Sequence, residues 1–497
     1  MKKINFPTAQ TILLIIGALV ALLTWFVPAG KYDTLSYNAS ENSFIIQNLE
    51  TQTKLVASQE TLTQLNIKIP LEKFTNGDIW KPINIPNTYK KLPAKPQGVL
   101  EFIKSPIKGV IEGADIIFLV LIIGGLIGIM NLTGAFDAGI AWMAKTLKGR
   151  EYILIILVTF LVSLGGTTFG LAEETIAFYP ILIPVFLAAK YDAMVALACI
   201  YLGSSIGTMC STSNPFSVII ASDAAGINWT SGFNTRLIMF LLGTIICIIY
   251  ILRYAQRVKK NPPKSIIYNQ KEEIELLFRK TAQQTITLTT RLKLIIFIFS
   301  MTFIVMVYGV SQLEWWFVEM TSVFFVGAIL IGFIARIKES VFVDTFVKGA
   351  SDLLGVALII GIARGITVIM NDGLISDTML YYASNLTNGM NKGVFINAVL
   401  YIYAGLSFFI PSSSGMAVLT MPIMSPLADT VGIGREAMVN AYQYGMGLFA
   451  FVNPTGLILA SLAIVKVGYD KWIRFVMPLV LILALCTMLV LTVSVYL

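Results

Sequence analysis

The stretch EYILIILVTFLVSLGGTTFGLAEETIAFYPILIPVFLAA, Glu151–Ala189, decides how the chain must fold. It is apolar enough for a bilayer, too long for one crossing and a poor fit to two. Its first limb, Glu151 to Ser163, has 13 residues, which is about 20 Å of helix against about 30 Å of hydrocarbon. The reading that fits is a re-entrant hairpin whose tip, GGTTFGLAEE with Gly165, Gly166 and Gly170, stops near mid-membrane. Two tight spans joined by an outer turn are the alternative. Irregular backbone at that depth is tolerated only where protein or a water-filled cavity satisfies it. Glu173 and Glu174 lie in the tip, and an intramembrane carboxylate costs about 2.5–3.5 kcal/mol even on the lenient insertion scale, so a functional role is the default. Neighbouring helical residues point about 100° apart. One glutamate is therefore expected to face substrate or coupling ion, the other to pair with an arginine or a helix N-terminus. Arg364, in GIARGITVIM, is the strongly basic residue in mid-span and the expected partner. A snorkelling or structural role is its alternative.

The rest of the chain is built for the same solvent. Of 497 residues, 56% are hydrophobic and 13% charged; a soluble domain of this size carries about 25% charged residues. Histidine is absent, which excludes histidine-ligated zinc or haem, a Ser-His-Asp triad and a histidine proton relay. The net charge of +8 resides in loops between apolar runs, without the basic stripe and interleaved aromatics of a nucleic-acid binder. Cys199, Cys210, Cys247 and Cys486 fall inside apolar stretches with no CxxC spacing and read as small core residues.

Nine apolar runs read as spans, 11–28, 114–133, 192–221, 236–254, 293–311, 319–337, 353–371, 434–464 and 474–496, with 151–189 and 393–428 as re-entrant segments. Lys2 and Lys3, then Lys145, Lys148 and Arg150, place their loops inside. The loop 255–292 agrees, with Arg257, Lys259, Lys260, Lys264, Lys271, Arg279, Lys280 and Arg291 against three glutamates. One alternating path satisfies all of these only if both re-entrant segments enter and leave on the same face. Residues 1–28 are thus a retained first helix and 29–112 a polar extracytoplasmic insert. Residues 113–254 and 319–497 form two repeats joined by the cytoplasmic loop and linker helix 255–311.

The repeats echo one another. GADIIFLVLIIGGLIGIMN (113–131) resembles GASDLLGVALIIGIARGITVIMN (349–371); Pro180 and Pro184 match Pro422 and Pro426; Asn214-Pro215 matches Asn453-Pro454. Five full spans separate matched positions, so the second copy is inverted, an arrangement that places a site at the bilayer midplane and permits alternating access. The second hairpin tip is Pro411, Ser412, Ser413, Ser414 and Gly415. At STSNPFS (211–217) and FVNPTG (451–456), Pro215 and Pro454 break a spanning helix and free its carbonyls. The oxygens of Ser213, Asn214, Asn453 and Thr455 beside them suit Na⁺, and the new half-helix N-termini suit a carboxylate. A ligand-free proline kink is the alternative for either break alone. Asn371 and Asp372 read as a cap or outer gate.

TWFVPAG, GGTTFGLAEETIAF, SNPFSVIIA, PSSSGMAVLTMPIMSPLAD and NPTG together resemble the YfcC family, within the DcuC-like C4-dicarboxylate carriers, over essentially the whole chain. More distantly the chain is similar to the ion transporter superfamily of AbgT-type and divalent-anion symporters. The resemblance implies inverted repeats, opposed hairpins, two broken helices and a dimer. It also implies that Thr167 and Thr168 with Asn214, and Ser412 to Ser414 with Asn453, bind Na⁺ and a substrate carboxylate. The Ser-Asn-Thr tip motif of the divalent-anion branch is absent. Some YfcC-like members are associated with arginine/ornithine exchange, which a glutamate pair suits better than it suits a dianion.

These readings converge on an all-α secondary transporter of the bacterial cytoplasmic membrane that moves a small amino acid, expected to be basic, coupled by exchange, H⁺ or Na⁺. In it, Ser412, Ser413, Ser414, Asn214 and Asn453 hold the α-carboxylate, Glu173 or Glu174 the cationic end, and Arg364 would meet an anion in a C4-dicarboxylate carrier. A channel is the rival of another class; a membrane enzyme lacks a nucleophile-base pair.

Overall fold

The computed structural model describes residues 8–48, 51–67, 69–76, 79, 82–136, 138–139, 150–279, 289–313, 315–386 and 389–496. The orienting residues Lys2, Lys3, Lys145, Lys148 and Lys280 lie outside them. Among the described residues eight helices are long and apolar enough to cross a membrane.

Helix α1 (Ala9–Leu23) is capped by the Thr8 hydroxyl, which accepts the Thr11 N–H. The insert follows, and it departs from the all-helical expectation. Strands β1 (Gly30–Lys31), β2 (Thr34–Asn38), β3 (Ser43–Gln47) and β4 (Gln52–Val56) precede the short helices α2 (Gln59–Gln64) and α3 (Leu71–Thr75), then β5 (Ile83–Asn84) and β6 (Lys90–Lys91). The main sheet is antiparallel in the order β4-β3-β2-β5, with Tyr37 opposite Phe44. Phe44 is fully buried and meets Tyr37 and Phe74 edge-on, giving the insert its own small core.

The expected insert boundary at residue 112 is corrected. Val99–Glu112 is a helix, α4, whose apolar residues recur at helical spacing, and it packs along a spanning helix of the second half. The first half continues with α5 (Ala114–Thr133), α6 (Tyr152–Phe169), a tight turn at Glu173–Ala177, α7 (Phe178–Ala188), α8 (Ala193–Met209), a break, α9 (Ile220–Ala225) and α10 (Phe233–Lys260). After α11 (Lys271–Arg279), α12 (Thr290–Gln312) and α13 (Phe317–Ala335), the second half runs α14 (Glu339–Asp352), α15 (Leu354–Asp372), α16 (Ser376–Asn385), α17 (Lys392–Phe409), α18 (Ser413–Val431), α19 (Arg435–Ala450), a break, α20 (Ile458–Val465) and α21 (Tyr469–Ser494). The expected run 434–464 is therefore two helices, as is 192–221.

The halves interlock crosswise. Helix α4 lies on α15, and α14 lies on α5. A Cβ added at Gly109 would strike the Gly361 carbonyl oxygen and the Gly365 amide nitrogen; one at Gly349 would strike the Gly124 carbonyl oxygen and the Gly128 Cα. Each arm thus seats one glycine in a G-x-x-x-G groove of the other half, an approach only small residues allow.

Both hairpins close on themselves. Glu151, at the start of α6, forms an ion pair with Lys259 at 3.2 Å, and the Lys259 ammonium lies 5.0 Å from the centre of the Tyr191 ring, just past α7. In the second hairpin, Lys392 begins α17, and a Cβ built on Gly432, just past α18, would lie 3.8 Å from its Cε. Different pieces cover the two. Helix α11 packs on α7, whereas the insert reaches the second hairpin and the helix before it: Asn84 Nδ2 donates to the Leu419 carbonyl of α18, and the Tyr32 N–H donates to Asp377 Oδ2 of α16 at 3.0 Å.

One limb differs from expectation. Helix α6 runs through Gly165, Gly166, Thr167 and Thr168 to Phe169, so the limb is 18 residues long rather than 13. The glycines serve packing rather than the bend. A Cβ at Gly166 would meet the Ser204 carbonyl oxygen and the Gly207 Cα of α8. The chain turns at Gly170 instead, at φ +84°, a conformation that disfavours any side chain.

Candidate functional site

The two hairpin tips and the two helix breaks meet around one cavity of about 440 Å³. Gly170, Ala172, Glu173 and Glu174 reach it from the first tip, and Pro411 to Ser414 from the second. Asn214 and Ser217 come from the first break, Asn453, Thr455 and Gly456 from the second. Arg364 lines it from α15.

The breaks are built alike. Asn214 Oδ1 accepts the Phe216 N–H at 2.9 Å and Asn453 Oδ1 accepts the Thr455 N–H at 3.0 Å, so each asparagine turns the chain past its proline. Each is tied to a neighbouring strut. Asn453 Nδ2 donates to the Ser407 carbonyl, and a Cβ on Gly170 would lie 2.7 Å from Asn214 Oδ1. The tips are pinned from the broken helices: Ser204 Oγ donates to the Leu171 carbonyl, and the Tyr442 hydroxyl to the Ser413 carbonyl.

Several expected site residues stand just outside the cavity. The Thr167 hydroxyl donates to the Cys210 carbonyl at 2.7 Å, the Thr168 hydroxyl to the Leu164 carbonyl and the Ser213 hydroxyl to the Thr168 carbonyl. The first and last of these staple the end of α6 to the segment just past α8, while the Thr168 bond stays within α6. Gly165, Gly166, Pro215, Gly415 and Pro454 also fall outside the lining; the Gly415 N–H donates to Ser412 Oγ. The hydroxyls assigned to Na⁺ donate mostly to backbone carbonyls, the Thr455 hydroxyl to Phe408 as well as to Asn453 Oδ1.

The two glutamates divide. Glu174 is buried and its Oε2 accepts the Ala172 N–H at 3.1 Å, holding the tip turn. Glu173 is less buried and turns toward the cavity, where Arg364 and Asp115 are the charges that act on it. The expected direct pair is corrected here: among the described residues Arg364 joins neither glutamate within the 4.0 Å of an ion pair. Its stem instead passes over Gly113, where a Cβ would come within 3.3 Å of Arg364 Cγ.

Glu112 and Asp115 were not expected. They flank Gly113 at the junction of α4 and α5 and line the cavity. At an apparent boundary between polar insert and apolar span they read as interfacial charge. The signal that would have placed them is the register of Lys108-Gly109 with Lys348-Gly349, 240 positions on, the same offset as Asn131 to Asn371. The lining therefore carries four carboxylates, Glu112, Asp115, Glu173 and Glu174, against one cationic side chain, Arg364. Among the described residues these carboxylates do not converge as a metal-binding group. An aromatic wall completes the site, Phe216 edge-on to Trp316 with centroids 4.6 Å apart. Such a wall suits a cation.

The whole chain matches known proteins. The family model described as C4-dicarboxylate anaerobic carrier, DcuC, matches residues 6–496. An uncharacterised protein of Haemophilus influenzae is 43% identical over 500 residues, covering 100% of this chain and 98% of its own. The putative basic amino acid antiporter YfcC of Escherichia coli K12 is 29% identical over 501 residues, covering 95% and 93%. Among solved structures, the YdaH transporter of Alcanivorax borkumensis aligns over 98% of each chain at 12% identity and a TM-score of 0.40. MtrF of Neisseria gonorrhoeae aligns over 99% of this chain and 96% of its own at 14% identity and a TM-score of 0.41.

Proposed function

The chain belongs to the C4-dicarboxylate anaerobic carrier family, it is a multi-pass membrane transporter, and from that premise we propose that it exchanges small cationic amino acids by alternating access across the bacterial cytoplasmic membrane. The observation that carries this reading is the excess of cavity carboxylates, four against one arginine. In a site of low dielectric, a dianion would add to that excess, whereas a guanidinium or ammonium side chain offsets it. The relative named as a putative basic amino acid antiporter points the same way.

In this reading Glu173 and Asp115 receive the side-chain cation, with Trp316 and Phe216 beside it. The α-carboxylate meets the N-terminus of α18 at Ser413, where the helix dipole favours an anion. The crossed halves are inverted copies, the insert is extracytoplasmic and the hairpins are the two gates. In this reading coupling is by exchange, as the name of the relative called a putative antiporter suggests.

A second reading has its own observation. Arg364 and a helix N-terminus line the same cavity, and together they suit a carboxylate, so a C4-dicarboxylate is the rival substrate. Substrate-induced thermal stabilisation separates the two, because a ligand that binds the native carrier raises its melting temperature by mass action. Arginine and ornithine are expected to stabilise the purified protein and succinate to leave it unchanged; stabilisation by succinate without arginine would reverse the assignment.

A further inference from the structure

We propose that Gln443 reads the substrate's α-ammonium group, which donates to a carboxamide oxygen that the protein itself leaves unpaired. The inference rests on the reading of the protein as an amino-acid carrier. Gln443 lies in α19, lines the cavity and is 2% exposed. Its Nε2 donates to Ser217 Oγ at 3.4 Å, while Oε1 has no hydrogen-bond partner. Buried side-chain acceptors are almost always satisfied, so an unpaired oxygen on a residue that lines the cavity points to a donor brought by what the cavity holds.

The surrounding bonds set which end of the amide faces inward. The Tyr442 hydroxyl spends its proton on the Ser413 carbonyl at 2.7 Å. Tyr442 precedes Gln443 in α19, and Ser217 Oγ accepts from Gln443 Nε2, so the amide nitrogen is occupied and Oε1 is left without a donor. What the site lacks is therefore an N–H. Tyr442 ties Gln443 to Ser413, where the N-terminus of α18 begins. An α-amino acid carries its ammonium and carboxylate on one carbon. It can satisfy Gln443 and the α18 N-terminus together, with its side chain directed to the acidic wall at Glu173 and Asp115. A dicarboxylate without nitrogen has no donor for Gln443.

Counterflow of labelled arginine in proteoliposomes tests this, with 5-guanidinopentanoate, which lacks the α-amine, and agmatine, which lacks the carboxylate, as competitors. Wild-type protein should prefer arginine over 5-guanidinopentanoate by roughly 10- to 100-fold. Gln443→Leu should reduce that preference to within about threefold of unity and leave the preference over agmatine intact. Gln443→Glu, which keeps an acceptor of the same length, should retain the wild-type preference and covers the case in which the leucine variant does not fold. A wild-type carrier that does not distinguish the des-amino compound overturns the proposal. So does Gln443→Leu keeping the wild-type ratio, Gln443→Glu losing it, or a loss in Gln443→Leu confined to agmatine, which would mean that the amide nitrogen faces the substrate. Wild-type protein without arginine counterflow would instead remove the underlying amino-acid reading, and this inference with it.

Discussion

Glu173 and Glu174 are adjacent in sequence and different in work. Glu174 closes the tip turn through the Ala172 N–H, so replacing it tests folding. Glu174→Ala is expected to lower stability by about 1–3 kcal/mol, the cost of stranding a buried donor, while Glu174→Gln, which keeps an acceptor, stays near wild type in a thermal melt. Glu173→Gln should do the reverse, with an unchanged melting temperature and arginine counterflow reduced at least about tenfold; unchanged transport in this variant would remove Glu173 from substrate binding. The sequence exposed these carboxylates because a charge inside an apolar run is costly on its face. It hid Asp115 and Glu112, whose depth depends on where α4 packs, and Gln443, whose unpaired oxygen is visible only once every neighbour is placed. Thr167 and Ser213 show why a hydroxyl near a break is ambiguous in sequence: it looks the same whether it binds a ligand or staples two segments.

The elements were legible wherever apolar length or proline marked them. Both breaks and the paired prolines of α7 and α18 fall where the sequence puts them, whereas α6 and α17, the first limbs of the expected re-entrant segments, are among the eight helices long and apolar enough to cross a membrane; Gly165-Gly166 was misleading because a glycine pair serves a bend or a close helix crossing equally well. The arms α4 and α14 were not legible as elements that pack on the apolar helices, because their charged faces resemble interface. Their packing makes a prediction with an internal control. Gly109→Leu and Gly349→Leu should each cost more than about 2 kcal/mol, or prevent accumulation, since the new side chain meets backbone of the opposite half. Gly355→Ala and Gly405→Ala, with nothing within 4 Å of the new Cβ, should be neutral or slightly stabilising. Melting temperatures of the four purified variants would settle it, and tolerance of both leucines would contradict the interlock.

For the whole molecule the insert matters as more than an appendage. It reaches Leu419 in the second hairpin and Asp377 in α16, stacks Tyr89 on Tyr381 at 4.2 Å and joins Lys73 to Asp223 of α9 at 2.8 Å. Its strands were not foreseen, since no motif marks them. If the insert is extracytoplasmic, a cysteine at Lys54 should react with a membrane-impermeant maleimide in intact cells and one at Glu272 only after permeabilisation; the opposite pattern would invert the topology. Native cysteines interfere little, three being buried.

The central claim is that a net-negative cavity between two opposed gates exchanges cationic amino acids. Counterflow into proteoliposomes tests it most directly. Vesicles loaded with unlabelled arginine or ornithine should accumulate external labelled arginine, and vesicles loaded with succinate or buffer should not. Accumulation of labelled succinate into succinate-loaded vesicles, with arginine neither entering nor competing, would contradict the account.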